Sequence, residues 1–219
     1  MKRAMRRMRK MLILVACVAL IAGLAIGGTL AWLQDVDDPV TNTFTPTNID
    51  VELDETTDDN NDGKFQIIPS VDIAKDPKVT ASSNVDYYVF VKVTETNWNT
   101  YFEDADKLTY SVDTSVWTQL TGSVNGISAN EKVYYAAVDA DTAFAEYVLT
   151  GTGDGVYENG VVYVPDTLTK EDLAKINDAN NYPKLTFTAY AFQQANGDDT
   201  ADGKFTALEA WNTLFPANN

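Results

Sequence analysis

Two loops carry oxygen-bearing side chains at the alternate spacing that a calcium ion requires. Ligands at every second position can wrap a hard cation, and the glycine that follows in each loop permits a sharp turn. In the second loop a carboxylate also stands at the twelfth position, where it would complete the site, whereas the first loop has Pro69 there. The candidate ligands are Asp58, Asn60 and Asp62 in the first loop, and Asp198, Thr200, Asp202 and Glu209 in the second.

A purely structural role for these residues stays open. Clusters of Asp, Asn and Gly are common in turns because their side chains bond to the local backbone. Thr206 and Glu209 also have the spacing of a helix capping box, which would occupy the same carboxylate. The sequence therefore leaves two interpretations of these loops, calcium sites or solvated acidic turns. Calcium is the only cofactor that the sequence suggests.

Imidazole and thiol groups for catalysis are scarce, and the 32 carboxylates show no spacing that marks a catalytic pair. The chain has no histidine, and its one cysteine, Cys17, lies in an N-terminal apolar run. Histidine-based, Cys-His and zinc-hydrolase arrangements therefore have no residues to build on. Asp113-Thr114-Ser115 is a distant likeness of an aspartic-protease triplet, and we interpret it as a turn at a strand end. We expect a protein that is not an enzyme.

Short strands separated by turn residues dominate the sequence after residue 48. Ile49, Val51 and Leu53 alternate with acids, and odd positions from 85 to 93 form the clearest run of period two, which predicts the centre of a sheet. Further strands are predicted at residues 65–68, 108–112, 116–120, 132–138, 155–158, 161–164 and 184–193. Because no βαβ alternation occurs, residues 49–219 are predicted to form a mainly β domain, an antiparallel β-sandwich or jelly roll.

Three local signals refine this picture. Asn159-Gly160 predicts a two-residue hairpin with a type I′ turn, since both residue types tolerate positive φ. Thr169 is predicted to cap a short helix, with acids in its first turn. A second short helix is predicted after Thr206, with Trp211 on its apolar stripe, and we expect that stripe to seal one end of the sandwich.

Residues 1–31 have the layout of a secretory signal peptide. Six cations precede the uncharged run of residues 11–33, which predicts a signal helix, and small residues follow where a peptidase could cut. Thr29 and Ala31 lie two positions apart, so cleavage after Ala31 would leave Trp32 as the first residue. Two alternatives are an uncleaved membrane anchor, because about 20 apolar residues span a bilayer, and lipidation at Cys17.

The composition is consistent with export. Without the six leader cations, ten lysines stand against 32 acidic residues, so the formal charge changes from −16 to −22. Such a surface repels nucleic acid and anionic lipid. The domain after the leader has no cysteine and is long enough to bury a core without disulfides. Residues 32–48 are polar and acidic, and we expect them to form a mobile segment.

The junction between leader and domain resembles that of a known family. The run GGTLAWLQDVDDPVTNTF, from Gly27 to Phe44, is similar to the SipW-type signal peptide and first residues of the TasA/camelysin family of secreted biofilm-matrix proteins. Weaker similarities are PKVT and DYYVFVKV within residues 77–93, and AYAFQ and LEAW within residues 189–211. The resemblance implies a jelly-roll body, a Gram-positive-type bacterium and assembly into fibres. Camelysin-type proteins have been grouped with metalloproteases, but this chain holds no HExxH motif.

These observations predict a secreted structural protein of the cell surface or biofilm matrix. Its expected partners are copies of itself, other matrix proteins and, during export, signal peptidase, but not nucleic acid. Once the leader is cut, residues 32–48 are a candidate donor strand for the next subunit, with Val40, Asn42 and Phe44 on one face. Such a head-to-tail contact does not close, so it propagates a filament. The alternative is that residues 40–45 pair within their own domain.

Other functional classes remain in view. One is a membrane-anchored surface domain that keeps residues 1–31. Another is a calcium-dependent adhesin or carbohydrate-binding domain, in which Trp98, Trp117 and the tyrosines stack on sugars. A metalloprotease of the camelysin type is the class that the sequence favours least.

Overall fold

The structure, a computed structural model, describes residues 49–56, 65–152, 158–196 and 203–217. Within these residues the fold is mainly β, an antiparallel sandwich with two short helices, as the sequence predicted. Pro46–Asn219 forms one compact unit. The finer jelly-roll assignment and the signal helix stay predictions.

The described part of the chain contains ten strands in three antiparallel sheets. The sheet orders are β1-β3-β8, β10-β4-β7-β6 and β2-β9-β5. The strands are β1 (Ile49–Asp54), β2 (Ile73–Ala74), β3 (Lys78–Ser83), β4 (Tyr87–Thr96), β5 (Thr109–Tyr110), β6 (Thr118–Gln119), β7 (Glu131–Val138), β8 (Phe144–Tyr147), β9 (Val161–Tyr163) and β10 (Lys184–Gln193). The helices are α1 (Lys170–Lys175) and α2 (Ala207–Leu214), and single 3₁₀ turns lie at Asp104–Asp106 and Ala179–Asn181.

The core of the sandwich lies between the first two sheets. Odd-numbered residues of β4, from Tyr87 to Val93, are fully buried and pack with Val79 and Ala81 of β3. The Tyr87 hydroxyl lies within hydrogen-bond distance of two backbone carbonyls, 3.1 Å from that of Ala81 and 2.9 Å from that of Thr142. The prediction that this run forms the centre of a sheet is confirmed, because β4 pairs with β10 on one side and β7 on the other.

The opposite face of the β4 sheet is also covered. Phe90 and Val133 point to this face and are buried against Trp211 of α2. The Trp211 indole is fully buried, and its Nε1 donates a hydrogen bond to the carbonyl of Asn125 at 2.8 Å. Trp211 therefore lies on the apolar stripe of its helix, as the sequence predicted, and anchors the helix in the core. The helix, however, covers a sheet face rather than sealing one end of the sandwich, because β4 carries the aromatic side chains of Tyr88 and Phe90 on that face.

A smaller apolar cluster lies beside the third sheet. Val162 and Val164 pack there with Phe102, Leu108 and Leu168. The helix α1 begins in this cluster and is capped by Thr169, as predicted. Leu173 of this helix packs against the same cluster.

Two local predictions are wrong. Residues 65–68 do not form a strand, because Ile68 only bridges Val71 across a tight turn. The predicted type I′ turn at Asn159-Gly160 is also absent. Among the described residues, positive φ outside glycine occurs at Ser70, Asn97, Asn99 and Asp141, and Gly160 itself has φ +147°.

Candidate functional site

Two strands on the same side of the sandwich have an edge without a partner strand among the described residues. Of the ten described strands, β1 pairs only with β3, and β10 pairs only with β4. β10 lies against β1 and is ten residues long. It contains no proline, and its single charged side chain is Lys184 at one end. Long edges that lack prolines and charges are the ones that accept a further strand.

A cleft of about 520 Å³ opens where the ends of these edge strands meet the third sheet. Leu53 and Glu55 line it from the β1 side, and Leu185 and Phe187 from β10. Ile73 adds an apolar wall from the third sheet. The lining is therefore apolar side chains with a few charged groups, which is the usual make-up of a ligand pocket.

An ion pair between Lys75 and Glu55 lies in this cleft. The Lys75 ammonium is 2.7 Å from both carboxylate oxygens of Glu55, and Lys75 is only 9% exposed. The same ammonium lies 4.8 Å from the ring centroid of Phe65 and 5.7 Å from that of Phe187. Thr56 next to Glu55 donates its backbone N–H to the Asp76 carboxylate at 3.0 Å. These contacts fix the end of β1 against residues 75 and 76.

A second cavity, of about 300 Å³, shares Trp98 and Leu108 with the first. Three of its polar side chains bond to one another. The Glu95 carboxylate accepts a hydrogen bond from the Tyr110 hydroxyl at 2.5 Å and one from the Lys132 ammonium at 2.8 Å. Burial raises the pKa of Tyr110, and the bond to Glu95 raises it further, so this hydroxyl remains a donor across the physiological pH range.

Trp98 stands between two asparagines that have left-handed backbone conformations. Asn97 has φ +51° and Asn99 has φ +57°. The Asn99 side chain accepts from the Leu108 N–H at 2.8 Å and donates to the Leu108 carbonyl at 2.7 Å. The Asn97 amide donates to the carbonyl of Asn180 at 2.6 Å. Trp98 is half-buried, so this pinned turn presents its indole to both cavities.

The sequence identified Trp98 and Trp117 as possible sugar platforms, and the structure separates them. Trp117 is 1% exposed, donates to the Tyr147 carbonyl at 2.8 Å and packs edge-on against Phe144, so it is a core residue and that prediction is wrong for Trp117. The Lys75–Glu55 pair was not foreseen, since it joins positions 20 residues apart. The two asparagines around Trp98 were a usable signal, because Asn tolerates positive φ.

The predicted calcium ligands are mostly outside the described residues: Asp58, Asn60 and Asp62 of the first loop, and Asp198, Thr200 and Asp202 of the second. Glu209 is described, and its Oε2 accepts hydrogen bonds from the N–H and hydroxyl of Thr206, both at 2.8 Å. The backbone bond, then the hydroxyl bond, lowers the pKa of Glu209. The capping interpretation of Glu209 is therefore confirmed, and calcium stays a prediction. Within the described ranges, no group of three or more acidic residues is placed to hold a metal ion.

The remaining predictions about export and assembly fall on residues before 49. The cleavage residues Thr29, Ala31 and Trp32, and the donor-strand residues Val40, Asn42 and Phe44, lie outside the described part of the chain. Among the helices that the structure describes, none is long and apolar enough to cross a bilayer. The triplet Asp113-Thr114-Ser115 forms a turn, in which the Asp113 carboxylate accepts from the Ser115 N–H and hydroxyl.

The described fold and site define a class: an acidic β-sandwich with unpaired sheet edges beside an amphipathic cleft. Comparisons of the chain with protein-family models, with curated proteins and with solved structures found no match.

Proposed function

We propose that this protein is a secreted structural component of the cell surface or biofilm matrix, and that its subunits assemble into fibres by strand donation. The leader, the charge of the exported chain and the resemblance of residues 27–44 to the TasA/camelysin family support secretion. The proposal assigns it no catalytic step, and it places signal peptidase cleavage after Ala31.

The observation that carries the assembly mechanism is the edge of β10 that has no hydrogen-bonded partner strand within the described part of the chain, although β1 lies beside it. Ten backbone residues of β10 pair on one side only, and no charged side chain follows Lys184 along the strand. An added strand would gain main-chain hydrogen bonds along this edge, and alternate side chains would supply specificity. Phe44 is the largest apolar side chain on the face of the donated segment that Val40 and Asn42 share, so we assign it the role of anchor in this pairing.

A pair of neighbouring substitutions tests this mechanism. Phe44→Ala removes the proposed anchor, whereas Thr43→Ala changes a residue on the opposite face of the same strand, since side chains alternate. Fibre formation by chains that begin at Trp32 is followed by light scattering and electron microscopy. We expect Phe44→Ala to slow or abolish assembly and Thr43→Ala to assemble like the parent. Equal assembly by both variants would show that Phe44 is not the anchor.

A further inference from the structure

We infer that the two cavities that share Trp98 form one binding site for a neutral saccharide chain. Residues 184–187 of β10 line the larger cavity, so the site lies beside the proposed acceptor edge, but the inference stands on the described residues alone. The two volumes, about 520 and 300 Å³, fall at or above the lower limit for small-molecule sites, which is about 300 Å³. The cavities share Trp98 and Leu108, so they lie side by side, and the proposed chain extends across Trp98 from one to the other.

The aromatic content of the lining suits a sugar ring. Trp98 and Phe65 line the larger cavity, and Trp98 and Tyr110 line the smaller one. Trp98 and Tyr110 meet edge to face, with ring centroids 5.7 Å apart. The C–H faces of a pyranose pack on such rings, whereas its hydroxyls point outward, where polar rim groups can bond them. Thr109, Lys184 and Thr186 are exposed at the rims.

The charge of the lining excludes a strongly ionic ligand. In the larger cavity the charged residues are two acids and two lysines, and in the smaller one they are one acid and one lysine. Lys75 and Lys132 each already contact a carboxylate, at 2.7 and 2.8 Å. The site is thus electrically balanced in a chain of formal charge −16, so a polyanion would meet repulsion and no unpaired group of cations. A neutral molecule with many hydroxyls fits this combination of rings and paired charges.

The rigidity of the Trp98 turn is a further argument for ligand binding. Asn97 and Asn99 both hold backbone conformations that non-glycine residues rarely adopt, and three side-chain hydrogen bonds of 2.6 to 2.8 Å keep them there. An indole that is held in place before the ligand arrives loses little conformational entropy on binding. Trp98 packs against the apolar cluster beside the third sheet, but unlike Trp117 and Trp211 it is only partly buried, so part of its indole stays open to a ligand.

Isothermal titration calorimetry with three tetrasaccharides tests the inference: maltotetraose, cellotetraose and N-acetylchitotetraose. The full chain is used, in a polyoxyethylene detergent if it retains its apolar leader, so that no sugar headgroup competes. We expect at least one tetrasaccharide to bind with a Kd of about 1 mM or lower. Trp98→Ala should weaken that binding at least about tenfold, and Tyr163→Ala, which removes an exposed tyrosine from outside both linings, should leave it unchanged.

A second variant covers the case in which Trp98→Ala fails to fold, as judged by near-ultraviolet circular dichroism. Thr109→Val keeps the shape and strand preference of an exposed rim residue and removes its hydroxyl. We expect it to weaken binding about threefold or more. The inference is overturned if none of the three tetrasaccharides binds at about 10 mM, or if a folded Trp98→Ala binds like the parent. It is also overturned if the site takes up an apolar peptide and no saccharide. Fibre formation by the same samples is scored separately, so neither proposal depends on the other's outcome.

Discussion

Gly160 brings two segments of the chain together at a distance that other residue types do not allow. Its carbonyl accepts a hydrogen bond from the Lys75 N–H at 3.1 Å. A Cβ at this position would lie 2.2 Å from the Lys75 carbonyl oxygen and 2.9 Å from the Leu149 Cβ. Because Lys75 carries the ion pair of the larger cleft, this close approach also positions the site.

Replacing Gly160 with alanine should therefore be costly. The added Cβ meets backbone, which cannot move aside as a side-chain end can, and φ is +147°. Gly122→Ala is the matched control, since φ there is +103° but the Cβ would meet only the end of the Leu208 side chain, at 3.2 Å. We expect Gly160→Ala to lower the free energy of unfolding by about 3 kcal/mol or more, and Gly122→Ala by about 1 kcal/mol. Urea unfolding measures both, and equal losses would contradict the close approach.

Asp172 gives the fold a dependence on acid pH. The Lys175 ammonium at 2.8 Å, then the hydroxyl and N–H of Thr169, hold the pKa of Asp172 at about 2, below the ordinary value of 3.8. A carboxyl with a depressed pKa in the folded state contributes stability that is complete above about pH 4 and is lost as the pH falls towards 2.

Asp172→Asn should thus lower the melting temperature at pH 7, and the gap from the parent should narrow between pH 4 and pH 2. Asp104→Asn is the comparison variant, because Asp104 has the same spacing to Lys107 but its side chain is 97% exposed. The melting temperature of Asp104→Asn should stay close to that of the parent from pH 7 down to pH 2, since exposed ion pairs contribute little. A constant gap for Asp172→Asn across this range would contradict the role of its charge.

At the scale of elements, α2 holds the outer face of the β4 sheet mainly through one side chain. Trp211 packs edge to face on Phe90 and Tyr190, with centroids 5.4 Å from each. Trp211→Ala should cost about 3–5 kcal/mol of unfolding free energy, because it leaves a cavity and an unpaired Asn125 carbonyl. Trp98→Ala should cost less, since Trp98 is only half-buried. Chemical denaturation ranks the two variants, and an equal loss would show that α2 is not held by Trp211.

Elements with strong local signals could be predicted from the sequence. β10 covers the predicted residues 184–193, and both helices begin after the threonine that was expected to cap them. Pairings between distant segments could not be predicted. β9 pairs with β2 and β5, which lie far away in the chain, so the apolar residues around it do not define a local hairpin. Residues 65–68 had a strand-like composition but no partner strand, and they close a turn instead.

For the whole molecule, the sequence indicated the class of fold better than the site. Alternation of apolar residues is a local property, so it was enough to predict a sandwich. The cleft depends on where β1, β10 and the third sheet meet, and Glu55, Lys75 and Trp98 come together only through that packing. The assembly proposal needs both the sequence and the fold, because the sequence supplies the donor segment and the fold supplies the acceptor edge.

Sedimentation velocity on two purified chains, one that begins at Trp32 and one that begins at Ile49, tests strand donation without any substitution. We expect the longer chain to form fast-sedimenting fibres, visible by electron microscopy, and the shorter chain to stay a folded monomer. If both chains sediment as identical monomers at every salt concentration and pH tested, strand donation is wrong for this protein.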